Sequence, residues 1–224
     1  MNYVTGDLRD QLAHVGYDVV QAGLVVGSGG NLSARIPDDD AVWVTASGSW
    51  LDRLSRNTFA PVRISDGSPA TIGSTPSSRV APTSEIALHL ALYRARPDVN
   101  AVVHLHPQTA LLLDALGEHI RIVTTDHAHY LRRVATVPFR LPGSIEVAAL
   151  TAAMAADGTD CLVLSQHGCV VMGDSVELAH KRARYLEEAA QLTYRALAAG
   201  RLENLRECPE EFLDRLCGSA VVTV

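Results

Sequence analysis

A single three-layer α/β/α domain around a mixed sheet is the fold that the sequence predicts, and three observations carry it. Segments of helical apolar period alternate irregularly with short β-rich segments. Two pairs of those β segments are joined by tight turns, at "PDDD" and "SQHG", while others are separated by a helix. Hairpins make antiparallel neighbours and helical crossovers permit parallel ones, so helices should cover both faces of a mixed sheet. The 224 residues, 47% hydrophobic and 20% charged, suit one globular domain over residues 1–224.

The elements follow in order. Leu8, Leu12, Val15, Val19 and Val20 recur at helical spacing behind Thr5, a candidate N-cap. That helix ends at "VVGSGGNLSARI", a Gly- and Ser-rich loop before a strand over Leu32 to Ile36. "PDDD" turns the chain into "AVWVTAS", β-branched and alternating, which completes an early hairpin. Residues Ser65 to Ser84, crowded with Gly, Pro, Ser and Thr, predict an irregular crossing loop with freedom to move. "SEIALHLALYRARPD" resumes the helical period and stops before Pro97; "NAVVHLH" is a short buried strand; "PQTALLLDALG" is a helix closed by Gly117. "IRIVTTDHAHY" and "VATVPF" predict two further strands, and "SIEVAALTAAMAADG" a Gly-terminated helix. "DCLVLSQHGCVVMG" then reads as strand, turn, strand, and Asp174 with Glu177 as a capping box opening a long helix to Gly200.

The net charge of -6 is mild, and the basic residues are scattered except in "HKRARY", expected as one exposed side of the late helix. Nucleic acid is therefore not an expected partner. No apolar run of about 18 residues predicts a membrane span. "MNYVTGDLRDQ" has no basic stretch followed by an apolar one, so no secretory signal is expected and the expected compartment is the cytoplasm. Cys161, Cys169, Cys208 and Cys217 show no C-x-x-C spacing and are expected as free thiols, mostly buried.

Chemistry concentrates in "AVVHLHPQTA". Residues two apart on a strand share a face, so His104 and His106 would project their imidazoles side by side. His167, in a turn beside Gly168, is a candidate third ligand. Three neutral imidazoles with one position open form the coordination set of a catalytic zinc able to polarise a carbonyl. A histidine on a buried strand is more often a satisfied core residue, and spacing alone does not bring these three together. Glu85 opens a helix behind Pro82, Thr83 and Ser84, where it could complement the helix dipole or serve as a general base beside the metal. The hydroxyls and backbone N–H groups of that helix start could receive a phosphate, and so could "SGGNLS" and "TASGS", although such loops are commonly plain turns.

Taken together, "GGNLSAR", "VTASG", "PTSEIALHLALYRARPDVNAVVHLHP" and "SQHGCVVMGDSVELAHKRARYLEEAAQL" make the chain resemble the class II aldolase/adducin family, in its fuculose-phosphate aldolase branch, from about Leu8 to Leu197. The resemblance implies a three-layer fold with a mostly antiparallel sheet and a C4 homotetramer. It also implies one Zn2+, or another divalent metal, per subunit in active sites between subunits. It puts the zinc ligands at His104, His106 and His167 and the acid/base at Glu85. Gly30, Asn31, Ser47, Gly48, Thr83 and Ser84 fall on phosphate-binding positions. The implied substrate is a small ketose phosphate like L-fuculose 1-phosphate, cleaved reversibly to dihydroxyacetone phosphate and an aldehyde through an enediolate that zinc stabilises. Family members also decarboxylate phosphorylated 3-oxo sugar acids, dehydrate sugar phosphates or epimerise them at C4, and the adducin branch is not enzymatic. The epimerase aspartates would fall near His129 and at Glu85, and both differ here. The aldolases draw proton-donating tyrosines from the middle of the chain, where Tyr130 lies, and from the tail, which here has none. His127, His129 and Tyr130 are the candidate donors.

Overall fold

The structure is a computed structural model that describes residues 4–72 and 80–218. A first helix, α1 (Leu8–Gln21), leads to β1 (Asn31–Arg35), β2 (Ala41–Thr45) and β3 (Phe59–Arg63). Then come α2 (Ile86–Ala95), β4 (Ala101–Leu105), α3 (Gln108–Ala115), α4 (Thr125–Leu131) and β5 (Val134–Val137). The chain closes with α5 (Ile145–Ala155), β6 (Cys161–Leu164), β7 (Gly168–Gly173), α6 (Val176–Ala198) and α7 (Glu210–Gly218). The seven strands form one sheet in the order β3-β2-β1-β4-β7-β6-β5. Among the described strands only β5 and β6 pair in parallel, so the sheet is mixed and mostly antiparallel.

Period-two alternation splits the core into two halves. Leu32, Val103, Leu105, Val163 and Val171 meet α1 and α6 on one face. Val44, Val102, Leu162, Val170 and Met172 meet α2 and α5 on the other. That second face also carries buried polar groups, Asn31, Ser33 and His104, near the centre of the sheet.

Several expectations are corrected. "IRIVTTDHAHY" contains no strand; its second half is α4, whose N-cap Thr124 accepts a hydrogen bond from His127 N at 3.1 Å. The β-branched run conceals a capping threonine. β3 is a strand beyond those expected; its Pro61 lacks an N–H, and it lies at the sheet edge, where that loss is tolerated. Asp7 rather than Thr5 caps α1, and Ser175 rather than Asp174 caps α6. Within "HKRARY", Lys181 and Arg184 point outward but Arg182 is buried. The crossing loop is tied at both described flanks, by Ala70 N to Pro61 O and by a bridge between Ala46 and Pro82; its middle, 73–79, lies outside the described residues. Cys161 and Cys169 are buried free thiols and Cys208 is a half-buried one, while the side chain of Cys217 lies outside the described residues. No helix among the described residues is long and apolar enough to cross a membrane.

Candidate metal centre

The pairings β1–β4 and β4–β7 bring Asn31 opposite His104 and Leu105 opposite Cys169. The exit of β4, the start of β1 and the turn between β6 and β7 therefore meet at one end of the sheet. His104 is the penultimate residue of β4, and His106 follows the strand directly. His167 sits in the turn, which is clamped by Asp114: its carboxylate accepts from Ser165 Oγ at 3.1 Å and from Gln166 N at 2.9 Å. Gly168 is required there, since a Cβ would lie 2.6 Å from Leu105 O and 2.8 Å from a ring carbon of His104.

His104, His106 and His167 converge, with one ligand nitrogen from each lying within 4.8 Å of the others. The Nε2 atoms of His104 and His106 are 3.2 Å apart. His104 Nδ1 donates to Cys169 O at 3.1 Å, which turns Nε2 towards the cluster. Burial, with the neighbouring imidazoles adding to it, pushes His106 down to about 4 and lowers His167 as well. At neutral pH both rings are in the uncharged form that binds metal.

Glu85 occupies the N-cap position of α2 but makes no side-chain cap; its carboxylate turns into the cluster. Oε2 lies 3.1 Å from His104 Nε2 and accepts from Asn31 Nδ2 at 2.9 Å. Oε1 lies 3.2 Å from His167 Nε2 without an aligned hydrogen bond. Burial works to raise the Glu85 pKa, but the adjoining His104 imidazole, the hydrogen bond from Asn31 and the neighbouring His167 outweigh it, holding the carboxyl well below the usual range.

Behind Asn31 lies a polar chain that local sequence patterns had not marked. His89 is fully buried, with Nε2 2.5 Å from Asn31 Oδ1 and Nδ1 2.7 Å from Ser33 Oγ; Ser33 Oγ is 2.9 Å from the Tyr93 hydroxyl. Burial pushes His89 down to about 3. The available signal was the four-residue spacing of Glu85, His89 and Tyr93, which puts them on one face of α2.

The expected phosphate loops also gather at this end. Ser47 N donates to Ala81 O at 3.0 Å, Thr83 N to Thr45 O at 3.0 Å, and Leu32 N to Thr45 Oγ1 at 3.2 Å. Ser47, Gly48 and Ser84 are exposed, and Thr83 is buried. Gly30, at φ 75°, lets β1 approach so closely that a Cβ would lie 2.7 Å from His104 O. The Asn31 amide is engaged at both ends, by Glu85 and His89.

Within one chain the candidate proton donors stand apart from this cluster. α4 packs on α6, across the sheet from the α2 layer. Tyr130 stacks on Tyr185 with ring centroids 4.5 Å apart, and His129 meets Tyr130 edge-on. His127 is buried with its Nε2 3.6 Å from Glu188.

Three convergent imidazoles beside a buried carboxylate, at the strand ends of a three-layer α/β/α domain, form a group that could hold a metal ion. Residues 10–194 match the family described as Class II Aldolase and Adducin N-terminal domain, and the chain belongs to that family. It is 32% identical to the L-fuculose phosphate aldolase of Methanocaldococcus jannaschii over 169 residues, 75% of this chain and 86% of that one. It is 34% identical to the 3-oxo-tetronate 4-phosphate decarboxylase of Escherichia coli K12 over 215 residues, 91% of this chain and 97% of that one. The structure of YgbL from Klebsiella pneumoniae superposes with TM-score 0.80 at 28% identity, covering 93% of this chain and 97% of that one. An L-fuculose 1-phosphate aldolase shares the fold, with TM-score 0.81 at 22% identity, covering 96% and 97%.

Proposed function

We propose that this protein is a zinc-dependent lyase that cleaves a small ketose phosphate, of the L-fuculose 1-phosphate kind, reversibly to dihydroxyacetone phosphate and an aldehyde. The observation that carries this reading is the Glu85 carboxylate, buried beside three convergent imidazoles with Oε1 lacking a hydrogen-bond partner among the described residues. His104, His106 and His167 would hold the metal, and an all-imidazole donor set suits zinc. When bound, the metal supplies a Lewis acid for the charge that develops on a carbonyl oxygen as the carbon–carbon bond breaks. Glu85 Oε1 carries the proton, while Asn31 keeps Oε2 fixed. The hydroxyls of Ser47, Thr83 and Ser84 and the backbone at Gly30 and Gly48 would hold the phosphate at the rim of the same sheet end. In a homotetramer with sites between subunits, Tyr130 or His129 would come from the neighbouring subunit to protonate the aldehyde.

A second reading, decarboxylation of a phosphorylated 3-oxo sugar acid, is favoured by two observations. The decarboxylase relative aligns over 91% of this chain, and the tail has no tyrosine to serve a departing aldehyde. Carbon dioxide leaves without needing a proton, so that reading uses the metal site and Glu85 alone.

The test is metal analysis followed by incubation with dihydroxyacetone phosphate and short aldehydes, and separately with 3-oxo-tetronate 4-phosphate. An adduct with about one zinc per chain supports the aldolase; release of carbon dioxide moves the assignment to the decarboxylase. Glu85→Gln is expected to keep its metal and lose about 10²- to 10⁴-fold in kcat. Normal turnover in that variant would remove Glu85 from its role. A chain that binds no metal and turns nothing over would instead be an adducin-like interaction domain.

A further inference from the structure

With Glu85 ionised and His89 neutral, every hydrogen in the chain behind Glu85 has one direction. An ionised carboxylate only accepts, so Asn31 must present Nδ2–H to Glu85 Oε2 and its carbonyl Oδ1 to His89. His89 Nε2 therefore donates to Asn31. A neutral imidazole with its proton on Nε2 has only a lone pair on Nδ1, so Ser33 donates to it, and Tyr93 in turn donates to Ser33. The four links all point towards the carboxylate, and aligned hydrogen bonds in a dry interior polarise one another. The participating side chains on β1 and α2 are buried, where apolar packing would fill the same space at lower cost.

From this geometry we infer that His89, backed by Ser33 and Tyr93, is a positioning residue for the catalytic carboxylate. It locks the Asn31 amide so that Glu85 Oε2 is held and Oε1 is left to carry the proton. The inference rests on the role given above to Glu85.

Two measurements test it. In protein labelled with 15N-histidine, with or without added zinc, His89 is expected to show a protonated Nε2 and a bare Nδ1 at pH 7 to 8. The opposite tautomer or an imidazolium would overturn the inference whether or not a substrate has been found. In the zinc-loaded enzyme, with the probe substrates named above, His89→Leu is expected to lower kcat about 10- to 100-fold at unchanged metal content and KM. His89→Gln, whose amide N–H can still reach Asn31, is expected to recover most of that loss, and Tyr93→Phe to lose less than His89→Leu. A structural role alone would lower stability without this split or rescue. Full kcat per bound metal in His89→Leu, or a loss that Gln does not restore, overturns the inference. Should His89→Leu not fold, the wrong tautomer in the unaltered protein still overturns it, and so does full kcat in Tyr93→Phe. A Glu85→Gln variant that turns over normally sinks the base assignment, whereas an inactive Glu85→Gln beside a fully active His89→Leu sinks this inference alone.

Discussion

Where β4 ends and β7 begins, Glu85 meets the imidazoles of His104 and His167, and among the described residues its Oε1 lacks a hydrogen-bond partner, as does His167 Nδ1. At the opposite end of the same sheet, Asp160 lies between two arginines, with Oδ1 2.9 Å from Arg96 Nη2 and Oδ2 2.6 Å from Arg182 Nη2. Those guanidiniums also hold the carbonyls of Ala155, Tyr130 and Met172. The far-end carboxylate is thus paired on both oxygens and joins helices of both layers to the sheet. The site-end carboxylate is fixed through one oxygen and left open at the other. Burial alone does not separate them; completeness of pairing does. A buried charge whose partners are all present holds structure, and one with a deliberate gap can do chemistry.

The largest test of that contrast is Asp160→Ala. Removing the shared acid leaves Arg182 buried without a carboxylate and Arg96 with only Asp98, so the loss should be about 3–5 kcal/mol in urea denaturation. Metal content per folded chain should not change. A cost like that of an exposed ion pair would erase the distinction between the two ends.

The next effect belongs to the site end and appears in acid. His89 falls to about 3 in the fold from an ordinary 6.5. Between those values the unfolded chain binds a proton that the native state does not, so stability is full above 6.5 and is lost as pH falls towards 3. This one group should contribute a slope of roughly 1.4 kcal/mol per pH unit. Denaturation of the metal-free protein from pH 7.5 to 4 should show that contribution on top of those of His106 and His167, and His89→Gln should make the slope shallower by that amount. Equal slopes in the two proteins would mean that His89 is not neutral in the fold.

Much of this was legible, and what was missed has physical causes. His104 and His106 stood out because strand alternation puts residues two apart on one face, and His167 because a glycine beside it marks a turn. Their convergence depends on β4 lying between β1 and β7, a pairing that no local pattern contains. The same limit hid the links from Ser33 to His89 and from Asn31 to Glu85, which form only between a strand and a helix far apart in the chain. Arg182 read as exposed because its neighbours in "HKRARY" are charged, while its partner Asp160 comes from another part of the chain, just before β6. α4 was mistaken for a strand because β-branched residues and a capping threonine look alike in sequence.

The smallest effect supplies the scale for the others. Asp7 caps α1 by accepting from Arg9 N at 2.9 Å, and it pairs with the Arg9 guanidinium at 2.6 Å while about a quarter exposed. That side-chain bond to Arg9 is the main reason its pKa falls from 3.8 to about 2. Its contribution is therefore present above pH 3.8 and is lost as pH falls through about 2. Solvent screens the pair, so Asp7→Ala should cost about 1 kcal/mol, mostly through the lost cap. Asp7→Asn should cost less, because an amide oxygen still accepts from Arg9 N. Neither variant touches either buried network, so metal content and turnover should be unchanged. If Asp7→Ala cost as much as Asp160→Ala, complete pairing in the interior would be worth no more than a partly exposed cap, and the contrast between the two ends of the sheet would carry no energy.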